Sequence, residues 1–271
     1  MRVVDFKSLI FLQLFLICLN FIFQVYEINN SAFIVETFGY NVLTFSLLTI
    51  IFIVLELVAP VPSFLLSGFT LVINLRLCSL IGFKMPVYIL VLVFLIKAIQ
   101  FIFIAKSSIH QIYKLGFQNS DYHLYWLSIF IRILLGYDFI PYFCDSLFEG
   151  TMMRSKEIDD FYNLGLGTAT AIVITTGLIE FFCSLSFSCG FLIRIGSIVL
   201  TLHLAITTLI GLKYGYHFAW LKDSTSGWNY PILLSSIIFS FSLFQPSEFS
   251  IDKFLLRYSK TPKLLKKLIT F

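Results

Sequence analysis

Residues 164–183 read LGLGTATAIVITTGLIEFFC, and after SLSFS residues 189–212 read CGFLIRIGSIVLTLHLAITTLIGL. Each run is about the length an α-helix needs to cross a hydrocarbon core roughly 30 Å thick. Each holds one fully charged residue, Glu180 in the first and Arg194 in the second. A link this short makes the two helices antiparallel neighbours. That placement predicts Glu180 and Arg194 at similar depth, able to pair, with Arg132 joining them from the preceding span.

Six more runs of the same kind flank this pair, at about 9–26, 41–59, 64–80, 86–105, 124–144 and 230–244. The composition agrees: 58% of the 271 residues are hydrophobic, 32 are Phe, and only 13% are charged. A typical soluble domain is about 25% charged, so this chain lacks the polar surface of a water-soluble fold. Long unbroken runs also exclude an outer-membrane barrel, whose short strands alternate apolar and polar residues. The fold expected is an all-α polytopic membrane protein with about eight transmembrane helices. No span is visibly broken by Gly or Pro in mid-membrane, and Pro60 and Pro62 fall in the turn between the second and third.

Of the 19 basic residues, six lie in the last 24 positions: Lys253, Arg257, Lys260, Lys263, Lys266 and Lys267. With eight spans these share a side with Arg2, Lys7, Lys106 and Lys114. The opposite loops carry Lys84, Arg154, Lys156, Lys213 and Lys222. The positive-inside bias then puts both termini in the cytoplasm. The basic tail 253–271 reads as an orientation signal and an interfacial amphipathic helix interrupted by Pro262. No basic face carries the stacking aromatics of a nucleic-acid site. The stretch 145–160 reads as an acidic outer loop. The five cysteines show no CxxC or metal-ligand spacing, which reads them as small hydrophobes.

Charge in hydrocarbon costs about 2.5–3.5 kcal/mol on insertion scales, so ionisable residues within spans should face the bundle interior. They are Glu56, Arg76, Lys97, Arg132, Asp138, Glu180 and Arg194. Glu56, Gly68 and Arg76 echo the order of Glu180, Gly190 and Arg194. His203 is read as a packing residue, and the histidines supply no matched pair of haem ligands.

Several pieces of the second half resemble the DoxX family of bacterial inner-membrane proteins. They are Arg132-Ile-Leu-Leu-Gly136-Tyr-Asp-Phe139, the Glu180, Gly190 and Arg194 series, Gly215-Tyr-His-Phe-Ala-Trp220, Ser226-Gly227-Trp228-Asn229-Tyr230-Pro231, and Glu248-Phe249-Ser250-Ile251-Asp252. The resemblance implies a DoxX-like four-helix bundle over 124–252, preceded by a four-helix membrane region over 1–115 of no family we name. Two positions depart from the family. Ile140-Pro141-Tyr142-Phe143-Cys144 stands where relatives often have His-Gly and a Lys, and Asn229 stands where they often have Glu.

Some relatives are membrane subunits of quinone-linked oxidoreductases, others assemble with oxidative-stress enzymes, and many have no established activity. The implied expectation is a quinone-linked redox subunit that works with a soluble redox or stress-response partner and carries no covalently bound cofactor. Its candidate ligand or ion-pair residues are Arg132, Asp138, Glu180 and Arg194, with Trp228 at the outer end. The alternatives are a non-catalytic assembly or anchor protein and an ion-coupled transporter.

Overall fold

The structure is a computed structural model. It describes residues 3–29, 40–113, 119–148, 158–159, 161–163, 165, 167–214, 229–243, 247, 249–258 and 261–270. In order the helices are α1 (Val3–Asn29), α2 (Tyr40–Leu55), α3 (Pro60–Ile81), α4 (Lys84–Tyr113), α5 (Asn119–Asp138) and α6 (Ile140–Leu147). They continue with α7 (Ala169–Cys189), α8 (Ile193–Tyr214), α9 (Asn229–Ser240), α10 (Ile251–Arg257) and α11 (Lys263–Thr270).

Among the described residues, five segments are long and apolar enough to cross a membrane: Ser8–Asn29, Pro60–Ile81, Lys84–Ile104, Tyr125–Leu147 and Ala169–Cys189. Tyr40–Leu55 and Ile193–Leu209 are shorter apolar helices, and α9 is 12 residues long. The helices therefore fall where the apolar runs do, with some ends displaced by about a turn. The expected span at 164–183 is the helix Ala169–Cys189, because Gly165 adopts a left-handed φ of 78° and delays the helix start.

The first four helices close a ring. α1 packs on α2, α2 on α3, α3 on α4, and α4 returns to α1. In the second half α7 is the hub, touching α5, α6 and α8, while α9 packs on α8. α3 joins the two parts, since it also touches α6, α7 and α10. The proline turn starts α3 with Pro at its first positions, and Gly82 ends it in a left-handed conformation.

The segment Tyr125–Leu147 is not continuous. α5 ends at Asp138, and a new helix starts at Ile140 with Pro141 in its first turn. The expectation of unbroken spans fails here because Pro141 has no N–H to carry the helical ladder across Phe139. Past α9, Ser250 caps α10 by accepting from the Lys253 N–H at 3.1 Å. Pro262 separates α10 from α11, as the tail sequence suggests. Phe249 just before α10 touches Phe64 near the start of α3 and Phe101 towards the end of α4. The tail thus lies at the end of the molecule where α1 starts, called here the tail end.

Candidate functional site

The residues expected to share one pocket divide into two groups. Arg132 and Arg194 belong to a knot at the tail end. Asp138 and Glu180 belong to an ionisable cluster deeper in the bundle. Trp228 lies outside the described residues, as do the 215–220 segment, Glu248 and residues 149–157 of the acidic stretch 145–160.

The knot forms where α7 turns into α8. Gly190 adopts a φ of 66°, and Leu192 follows with a φ of 51°, uncommon for a residue with a side chain. Asp252 holds this turn. Its carboxylate accepts from the Leu192 N–H at 2.8 Å and the Ile193 N–H at 3.2 Å, and its own N–H donates to the Gly190 carbonyl at 3.0 Å. A carboxylate at a helix start satisfies donors that have no intrahelical partner. Burial raises the Asp252 carboxyl above the ordinary carboxylate range, offset in part by those two N–H groups and by nearby Arg132. Arg132 is 2% exposed. Its guanidinium donates to the Phe249 carbonyl at 2.8 Å and the Ser247 hydroxyl at 3.3 Å. Arg194 donates to the Thr270 carbonyl at 3.1 Å, fastening α11 to α8.

The expected Glu180–Arg194 pair does not form. Glu180 lies more than two turns before the end of α7, whereas Arg194 sits in the first turn of α8. At about 1.5 Å of rise per residue, the antiparallel level of Glu180 falls near residue 202 of α8. His203 occupies that level, with its Nε2 3.5 Å from Glu180 Oε1. The side chains are 10% and 12% exposed, His203 first. His203 is therefore a partner of the buried acid, and counting antiparallel register from the turn would have found it.

Asp138 closes α5 at the break and is half-buried. Asp138, Asp145 and Glu180 all lie within electrostatic reach of the Tyr142 hydroxyl on α6. Asp145 is not in an outer loop. It lies in α6 and forms a 2.9 Å ion pair with Arg76 of α3. The second group thus comprises Arg76, Asp138, Tyr142, Asp145, Glu180 and His203. The sequence reading missed Tyr142 and misplaced Asp145, because both depend on the helix restarting after the break.

Glu56 and Lys97, 1% and 4% exposed, pair with each other inside the first four helices. Arg76 pairs across to the second half instead, so the echo between Glu56, Gly68, Arg76 and Glu180, Gly190, Arg194 does not extend to partners. Gly68 is helical whereas Gly190 makes a left-handed turn. Among the described residues no group of three His, Cys, Asp or Glu is placed to hold a metal ion. Four cysteines are buried and Cys18 is exposed, all as free thiols.

Residues 127–212 match the DoxX family model. The DoxX match takes in Arg132, Asp138, Glu180, Arg194 and His203, and so all of the ionisable cluster except Arg76, together with the turn at Gly190. It covers about a third of the chain and leaves out α1 to α4, Phe249 and Asp252. No curated protein and no solved structure matches the chain.

Proposed function

We propose that this chain is an eight-span protein of a bacterial inner membrane, both termini cytoplasmic, and that its DoxX-like half receives a quinone head-group. Electrons come from a soluble redox partner, because the cysteines and histidines of this chain offer no carrier of their own. The observation that carries the reading is the contact between Glu180 and His203 at mid-helix depth, each side chain keeping about a tenth of its surface open. Ionisable residues at such depth usually mark proton relays or ligand paths.

Reducing a quinone adds two electrons and two protons, one proton to each carbonyl oxygen. The Glu180–His203 pair is suited to supply one of these protons, with Glu180 holding it and His203 exchanging it through Nε2. Tyr142, 44% exposed on α6, offers a second donor beside the break at Phe139. Arg132 and Arg194 take no part in this version of the pocket, since backbone carbonyls already occupy them.

The test adds ubiquinone and menaquinone analogues to the purified protein and follows thermal stability and Trp fluorescence. A shift that His203→Ala abolishes and Arg194→Ala retains is expected. No shift with any quinone would overturn the reading. The anchor alternative draws on the knot at Gly190, where Arg132 and Asp252 act on backbone groups. The transporter alternative draws on the broken fifth span, because discontinuous helices commonly mark transporter binding sites. Copurification of soluble proteins, read by optical spectrum, separates a redox subunit from both.

A further inference from the structure

The interior of the first four helices is polar along much of its length. Gln24 of α1 accepts from Ser46 of α2 at 2.6 Å and donates to Asn74 of α3 at 3.1 Å and to the Cys78 sulfur. Thr49 of α2 donates to Thr70 of α3 at 3.0 Å. Gln13 of α1 donates to Gln100 of α4 at 2.8 Å. Glu56 accepts from Ser67 at 2.7 Å and from Lys97. These side chains come from all four helices and are almost wholly buried. Counted from the turn between α3 and α4 at Gly82, the seam runs from Asn74 past Ser67 and Lys97 to Gln100, about 12 to 25 Å deep at 1.5 Å per residue.

Five polar atoms in this seam have no partner among the described residues: Gln13 Oε1, both amide atoms of Asn20, Glu56 Oε2 and Gln100 Nε2. Gln13, Asn20 and Gln100 are fully buried and Glu56 is 1% exposed. Buried polar groups without a protein partner are the usual hosts of internal water, which binds where several such groups converge.

The seam is closed on one side. Lys97 Nζ sits 4.8 Å from the centre of the Phe64 ring. Towards the tail end, Phe64, Phe101 and Phe249 pack with centroids 5.4 to 6.4 Å apart, and Trp126 packs on Phe101 and Phe249. Towards the far end the seam leads to Gln24, Asn74 and Cys78, with Glu27 within electrostatic reach of Cys78.

We propose that the first four helices form a proton half-channel, a row of water molecules held by this seam that carries protons between the far end and the Glu56–Lys97 pair. Amides and hydroxyls can both donate to and accept from water, which a water-borne proton relay requires and a path for apolar solutes does not. The Lys97 ammonium beside Glu56 disfavours a metal cation. A proton arriving along the row bonds to Oε2 of Glu56, giving a neutral carboxyl beside the ammonium. The reverse step returns that proton to water. Phe249 ties the closed end to the DoxX-like half, because its ring seals the seam while its carbonyl is held by Arg132. The half-channel lies outside the matched region 127–212 and does not depend on quinone binding.

The test reconstitutes the whole chain in vesicles loaded with a pH-sensitive dye and imposes a pH gradient. The wild type is expected to conduct no faster than empty vesicles, because the aromatic seal is shut. Phe64→Ala with Phe249→Ala should raise the flux several-fold, and adding Glu56→Gln should return it to the empty-vesicle rate. An opened seal without flux, or a flux that survives Glu56→Gln, overturns the proposal. A measurement on the wild type does not depend on the folding of the seal variants. With nitrogen-labelled asparagine, assigned by difference against Asn20→Leu, the Asn20 side-chain amide should exchange with deuterated water within minutes. Protection over many hours would mean a dry seam and would overturn the proposal.

Discussion

The Arg132 guanidinium donates to the backbone carbonyl of Phe249 at 2.8 Å, across more than a hundred residues of sequence. This bond holds the segment after α9 against α5. It also sets the Phe249 ring among Phe64, Phe101 and Trp126 of the other helices. Arg132→Ala should leave the buried carbonyl without its donor, at a cost of about 1–3 kcal/mol. Arg132→Lys should recover only part of it, because an ammonium lacks the planar fork that reaches two acceptors. Thermal unfolding in detergent should rank the wild type above Lys and Lys above Ala.

Glu180 should couple energetically to His203 and not to Arg194. Residues in contact show interaction energies of about 0.5–3 kcal/mol in double-mutant cycles. Glu180→Ala with His203→Ala should therefore be less destabilised than the sum of its single variants, while Glu180→Ala with Arg194→Ala should be additive. Cycles read from thermal midpoints check this, and coupling to Arg194 alone would contradict the contact.

Gly190 should tolerate no side chain. Its φ of 66° lies in the left-handed region, and an added Cβ would stand 2.5 Å from Ser250 Cβ, against the Arg132 guanidinium. Gly190→Ala should cost at least about 1–3 kcal/mol from backbone conformation alone and more from the clash. Gly136→Ala should also harm folding, since the new Cβ would meet the Ser188 backbone where α5 and α7 touch. Folded yield after detergent extraction should fall for both variants.

Asp252 should give the knot a pH dependence of defined sign. Burial raises its carboxyl in the folded chain, so the folded state keeps this proton to higher pH than the unfolded state does. The resulting stabilisation is fully present below the unfolded pKa and is lost as pH rises through the raised folded value. The wild-type stability minus that of Asp252→Asn should therefore fall from strongly acidic towards neutral pH. Thermal midpoints of the two proteins across that range measure it, and a difference that grows with pH would contradict the shift.

Sequence alone determined the class of this protein, the placement of its apolar helices and the DoxX-like character of 127–212. Those properties are local: hydropathy adds up along a segment, and Pro and Gly act where they stand. Sequence also marked Glu56, Lys97, Arg132 and Glu180 as residues that must find partners indoors. Which partners they find was decided by tertiary structure. A helix turns about 100° per residue and rises about 1.5 Å, so a contact depends on rotation and depth in two helices at once. That is why Glu180 meets His203 and not Arg194, and why Arg132 ends on the Phe249 carbonyl instead of in a pocket with Glu180. Asp145 became a partner of Arg76 only because α6 restarts at Ile140, beyond the break at Phe139, and carries it against α3.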